Sequence, residues 1–133
     1  MARLTAKRLP LSALKNGEYV ITEGRWESNY VEVPNYGKVS RVAVYGVVIS
    51  KYVNKVKEFC SINIDDFTDD IRVAGFKGMA KTLESFERGD TILIVGKIRK
   101  DNNDNLYLFP EIARKVPIDF MLLNAIENFK FDK

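Results

Sequence analysis

Histidine is absent from this chain and cysteine occurs once, at Cys60. That excludes Ser-His and Cys-His nucleophile activation, histidine metal ligation and Cys-rich zinc sites, and it removes the commonest general base. No GxxxxGKS/T or GxGxxG phosphate loop occurs either. Two groups of residues are left that could do chemistry. The first is Asp65, Asp66, Asp69 and Asp70, four carboxylates in six residues. Such a group can hold Mg²⁺ or Ca²⁺, as in a metal-dependent nuclease. Aspartate also favours turn geometry, and the spacing lacks the alternating ligands, glycine and distal glutamate of a helix-loop-helix calcium site. A solvated turn is the reading adopted, and no metal or other cofactor is expected. The second group joins aromatic rings to cations, the pairing that takes up base faces and phosphates of a single strand.

Phe76 heads that second group. It ends the segment IRVAGF, where alternation sets it on the face opposite Ile71 and Val73. Its same-face neighbours are Ala74 and Arg72, one small and one basic, so the ring stays accessible with a charge nearby. The competing reading packs Phe76 under the helix that follows. Tyr52 and Tyr107 are further ring candidates, each equally suited to rim packing. Arg72 with Arg41, Lys51, Lys77, Lys97, Arg99 and Lys100 are the phosphate candidates as a set, although each alone reads as a solvated charge. Phe67 lies among carboxylates that would repel phosphate and is left out. Trp26 and Tyr30 read as core or cap residues.

Charge is segregated more than its total implies. The net charge is +3, yet Val33–Lys57 holds Lys38, Arg41, Lys51, Lys55 and Lys57 with no acid. Lys97, Arg99 and Lys100 form a second basic group, so one surface is expected to carry a positive potential. At 133 residues the chain is long enough for one domain with a real core. A single cysteine precludes an intrachain disulfide, and alternation with Ile62 and Ile64 reads Cys60 as a buried thiol. Neither a signal-peptide core nor a run of about 18 apolar residues occurs, so a cytosolic protein without a membrane partner is expected.

The elements that must position these side chains follow from periodicity. SRVAVYGVVISKYV is apolar on both parities. It reads as a strand buried on both sides or shared between two halves of a small barrel, with Gly46 permitting a bend. In FCSINID, Cys60, Ile62 and Ile64 face one way and Phe59, Ser61 and Asn63 the other. Met79, Leu83 and Phe86 predict a helix over 79–88, stopped by Gly89. TILIVGKIR and NLYLFPEIARKV pair across DNNDN, with Pro110 interrupting or bulging the last strand. Strand, acidic turn, strand, helix, strand, polar loop, strand is the wiring of an OB-fold barrel. The fold class expected is mainly β: a five-stranded barrel with a helix between its third and fourth strands, preceded by short N-terminal strands.

The ends read differently. Residues 1–17 form a basic N-terminal arm, with a helical turn starting near Pro10–Ala13. The OB domain spans 18–116, its first part (EYVITEGRWESNYVEVP) giving two short strands broken at Glu23-Gly24. From Pro117 the period changes: Ile118, Met121, Leu122, Ala125, Ile126 and Phe129 recur at i, i+3, i+4, i+7, i+8 and i+11. That predicts an amphipathic C-terminal helix over 117–133 whose stripe meets partner helices or packs on the barrel.

GEYVITEGRWESNYV, VSRVAVYGVV, SINIDDFTDDIRVAGF, RGDTILIVGKIR and LFPEIARKV together resemble the archaeal replication protein A family, nearest to its middle-subunit-like members. The likeness runs from about Leu9 to Phe129. It implies single-stranded DNA binding in replication, repair and recombination, inside a multi-subunit, heterotrimeric complex whose C-terminal helices bundle. One stacking aromatic of that family maps onto Phe76. The second, usual in the loop between the last two strands, has no counterpart in KDNNDN. Relatives often carry a winged-helix domain after the barrel, and none is expected before Lys133. The missing ring keeps open a structural subunit whose sister holds the DNA, and a stacking platform alone does not separate DNA from RNA.

Overall fold

The computed structural model of the protein describes residues 6–21, 29–119 and 122–123. In chain order the elements are α1 (Leu11–Lys15), β1 (Glu18–Val20), β2 (Tyr30–Val33), β3 (Gly37–Val39), β4 (Arg41–Asn54), β5 (Phe59–Asp65), β6 (Asp70–Phe76), α2 (Gly78–Glu84), β7 (Thr91–Lys100) and β8 (Leu106–Lys115). β1, β2 and β3 make a small antiparallel sheet, and the other five strands close into a barrel of order β4-β5-β6-β8-β7. α2 lies in the connection from β6 to β7.

The long apolar run is one strand with two partners. Arg41–Val47 of β4 pairs with β7, and Val47–Asn54 pairs with β5. Val42, Val44 and Val48 point into the barrel. A register shift between Val48 and Ser50 turns the strand from one partner to the other. Gly46 is required there, because a Cβ would sit 2.9 Å from that of Ile64. Pro110 likewise lies at a register shift, opposite Gly96, and leaves Glu111 as the unpaired residue of β8. A Cβ on Gly96 would come within 2.5 Å of the Phe109 carbonyl oxygen. Cys60, Ile62 and Ile64 of β5 share one buried core cluster with Ile71 and Val73 of β6 and Ile92 and Ile94 of β7.

Residues 6–17 are not a free arm. Lys7 forms a parallel bridge to Val42, its amide donating to the Arg41 carbonyl and its carbonyl accepting from Ala43, each at 3.0 Å. Leu9, Leu11 and Leu14 are buried in the common core. Leucines at 9, 11 and 14 outweigh the flanking cations Lys7, Arg8 and Lys15, since each buried side chain contributes about 1.5–3 kcal/mol.

The acidic turn explains how α1 is held. Pro10 precedes the helix and provides no side-chain cap. Instead, Asp66 Oδ2 accepts the Leu11 amide at 2.9 Å, and Thr68 Oγ1 accepts the Ser12 amide at 3.2 Å. Orphan donors of the first turn are thus satisfied from a distant loop. Asp66 is 2% exposed. Its Oδ1 takes the amides of Thr68 and Asp69 and the Thr68 hydroxyl. Lys15 at the other end of α1 lies 3.2 Å from both Asp69 and Asp70. Burial pulls the Lys15 pKa down, but the hydrogen bonds and charges of the two aspartates outweigh it and leave the value raised. Its stabilising effect is therefore complete below the ordinary 10.5 and fades only as pH rises through the higher folded value. Asp66, Asp69 and Asp70 thus dock α1 while Asp65 Oδ1 accepts the Phe67 amide within the turn, and no group of three metal-ligating residues is found among the described residues.

α2 is shorter than its apolar spacing predicts. It stops at Glu84 because the Ser85 hydroxyl bonds back to the Thr82 carbonyl, while Lys51 Nζ donates to the Glu84 and Phe86 carbonyls at 2.9 and 3.0 Å. Phe86 still reaches the core from beyond the helix end. Of the C-terminal stripe, Ile118 and Leu122 are described and exposed. Met121, Ala125, Ile126 and Phe129 lie outside the described residues, as do Trp26 and the Glu23-Gly24 break.

Asp66→Ala is expected to lower folding stability by about 2 kcal/mol or more, because it strands three buried or half-buried amides at once. Chemical denaturation of the two proteins measures this directly. A change below about 0.5 kcal/mol would mean that α1 is held by its leucines and the remaining turn contacts without need of Asp66.

Candidate nucleic-acid interface

Pairing of β5 with β6 sets Phe59 directly opposite Phe76. Both lie on the outer face, since Cys60 and Gly75 beside them turn inward. Their ring centroids are 5.0 Å apart with planes tilted by 53°, a favourable aromatic arrangement. On β4, Asn54 pairs with Phe59, and Tyr52, two residues back on the same face, brings its ring to 6.2 Å from Phe59. Phe76 is 51% exposed and Tyr52 57%, whereas Phe59 between them is half-buried. Phe76 does not pack beneath α2. Two open rings are braced by a third, over a floor of the small buried residues Ser61 and Ala74.

Phe59 was missed among the sequence candidates, although its parity with Ser61 and Asn63, against Cys60 and Ile62, placed it outward. Only the register with Phe76 reveals why it matters.

A second row crosses the same face four residues along β6, at about 13 Å from the first. Asn63 of β5 pairs with Arg72 of β6, Arg72 with Tyr107 of β8, and Tyr107 with Arg99 of β7. The Arg72 guanidinium lies 5.3 Å from the Tyr107 ring centre, and that of Arg99 lies 4.5 Å from Phe109. These are cation–π distances. Tyr107 thus stands beside Arg72, next to the loop in which no aromatic occurs. Lys97 continues the basic edge, paired with Phe109 on one side and Arg41 on the other.

Two of the sequence candidates serve other ends. Arg41 is an internal tie: its Nη2 donates to Glu111 Oε2 and its Nε lies by Oε1, both at 2.7 Å. The bulge at Pro110 presents Glu111 to it. Lys51 caps α2, as described above, and its ammonium is held by backbone carbonyls. Lys77 is exposed at the head of α2 with a positive φ of 54°. It borders a groove beside Phe59 whose lining also includes Lys55, Lys81, Glu58 and Glu84.

The β7–β8 loop is built on Asp101. Its Oδ1 accepts the amides of Asn103 at 2.8 Å and Asn105 at 3.0 Å. Oδ2 lies 3.5 Å from Arg72 Nη2. The amide of Asn105, and after it those of Asn103 and the Arg72 charge, hold the Asp101 carboxyl below its ordinary 3.8, against a smaller opposing effect of desolvation. A depressed carboxylate stabilises its loop above the unfolded value and loses that effect as pH falls through the folded one. Carboxyl NMR titration should therefore give Asp101 a midpoint below 3.8. A midpoint at or above that value would show that the loop is not organised by this side chain.

Comparison with known proteins agrees with this geometry. Residues 42–115 match a family described as an OB-fold nucleic acid binding domain. No curated protein matches the sequence. A chain of a replication protein A heterotrimer bound to single-stranded DNA superposes with a TM-score of 0.73 at 11% identity, covering 97% of this chain and 96% of that one. A chain of the S. pombe Stn1-Ten1 complex gives 0.77 at 10%, covering 97% and 92%. One from yeast Stn1 and Ten1 gives 0.64 at 12%, covering 96% and 72%. At such identities these likenesses establish the fold.

Proposed function

This chain belongs to the OB-fold nucleic acid binding domain family, and from that premise we propose that it is a single-stranded DNA-binding subunit of a replication protein A-like complex. It is a binding protein and not an enzyme. The observation that carries the reading is the outward ladder of Tyr52, Phe59 and Phe76. Open rings offer stacking surfaces to successive bases without regard to sequence. Arg72, Lys77, Lys97 and Arg99 border that face and serve the phosphates, with Lys100, whose ammonium lies 5.9 Å from the Tyr19 ring, at its rim. Tyr107 supplies a second stacking position, about 13 Å from the first, where the loop residues carry no ring.

The archaeal, middle-subunit-like assignment and the roles in replication, repair and recombination rest on the sequence resemblance. The replication protein A and Stn1-Ten1 structures both contain several subunits, which supports partners for this chain. Its C-terminal stripe, from Ile118 through Met121, Leu122, Ala125 and Ile126 to Phe129, is the proposed contact, and Ile118 and Leu122 are exposed as such a contact needs. Among the described residues no helix is long and apolar enough to cross a membrane.

A second reading is a structural subunit whose sister holds the DNA. It is favoured by the internal use of Arg41 and Lys51 and by the acids that face Arg72 and Lys100. Titrating labelled oligo-dT with the purified chain separates the two, since only the first predicts saturable binding by this chain alone. Under it, Phe76→Ala weakens binding by about 1–3 kcal/mol, or about 5- to 150-fold in Kd, with folding stability little changed. Unchanged affinity would remove Phe76 from the site. Binding should also fall steeply with salt as counterions are released, and a flat response would count against phosphate contacts.

A further inference from the structure

The β7–β8 loop places acid in the middle of a basic surface. Asp101 faces Arg72 at 3.5 Å and Asp104 faces Lys100 at 3.6 Å, so each carboxylate meets a cation of the proposed site. The two are held differently. Asp104 is 87% exposed. Asp101 is fixed, because two loop amides bind its Oδ1 and its own amide donates to the Asn105 carbonyl at 2.9 Å.

An exposed Arg–carboxylate pair is weak, so Arg72 can leave Asp101 for a phosphate. The carboxylate cannot leave with it. Its charge stays beside any phosphate that Arg72 takes up, and repels it. Arg72 also lies over the Tyr107 ring, so a base that stacks on Tyr107 must displace the same guanidinium.

We propose that Asp101 is an affinity-setting residue, a fixed counter-charge that competes with nucleic-acid phosphate for Arg72 and holds binding at the Tyr107 end of the face below what its cations and ring would otherwise give. The proposal rests on the reading of this face as a single-strand site. It makes the polar loop a restraint on binding, where the absence of an aromatic alone would make it only a missing contact.

Asp101→Asn removes the charge and keeps an oxygen to accept the Asn103 and Asn105 amides. Its affinity for oligo-dT, followed by fluorescence anisotropy over a salt series, should exceed that of the wild type by about three- to fivefold at low salt, the size of one exposed charge interaction. The slope of log K against log salt should steepen by about 0.7, one further single-strand phosphate contact. The gain should vanish in an Arg72→Gln background, which a purely structural role for Asp101 would not produce. Asp101→Ser, whose hydroxyl also accepts an amide, serves if Asp101→Asn is unstable by circular dichroism. Wild-type binding with no gain in either folded variant overturns the proposal and leaves the site intact. A silent wild type with binding gained in Asp101→Asn supports it while overturning unaided binding by this chain. Silence in both overturns both.

Discussion

Closure of the barrel through the parallel pairing of β6 with β8 is the constraint on which the rest depends. Only two residue pairs make that closure, Arg72 with Tyr107 and Val73 with Leu108. Val73 and Leu108 are buried completely and join the inner walls. Arg72 and Tyr107, one position away on each strand, necessarily emerge together outside. The contact that seals the core thereby assembles the outer row of the binding face. It also brings the β7–β8 loop, and Asp101 with it, against a strand that is about 30 residues away in sequence.

Polar residues in this chain divide between holding the scaffold and facing solvent, and residue type does not announce which. Asp66 is buried and spends its lone pairs on four donors, among them an amide of α1. Asp101 uses a similar pattern to shape a loop, yet keeps an oxygen for Arg72. Lys51 and Arg41 are absorbed by carbonyls and a carboxylate of the scaffold, while Lys77 and Arg99 remain exposed. The basic surface is consequently narrower than a map of charge along the chain implies. A ring, by contrast, either faces outward or does not, and alternation along a strand decides that locally.

Much of the barrel was legible because its signals are local. Alternation in Phe59–Asp65 and Asp70–Phe76, the two-sided run of β4 and the Pro110 irregularity each reflect a strand's own two faces. Phe76 could be set outside from its neighbours alone, and it is outside. What failed had long-range causes. Residues 6–17 looked like an arm because their basic residues are visible in sequence, whereas the amide acceptor that anchors Leu11 lies 55 positions away. α2 ended early in part because of Lys51, a residue of β4, which takes carbonyls at its end beside the local Ser85 bond.

By itself, then, the sequence determined which side of each strand is apolar, that histidine-dependent catalysis and Cys-rich metal sites are closed to this chain, and that one ring on β6 would meet solvent. These are properties of residue type and of a repeat two residues long. The tertiary structure alone decided which rings stand together, which cations are already occupied and which acid faces Arg72. Those are matters of register and closure between strands remote in the chain, and no local pattern encodes the partner across a barrel.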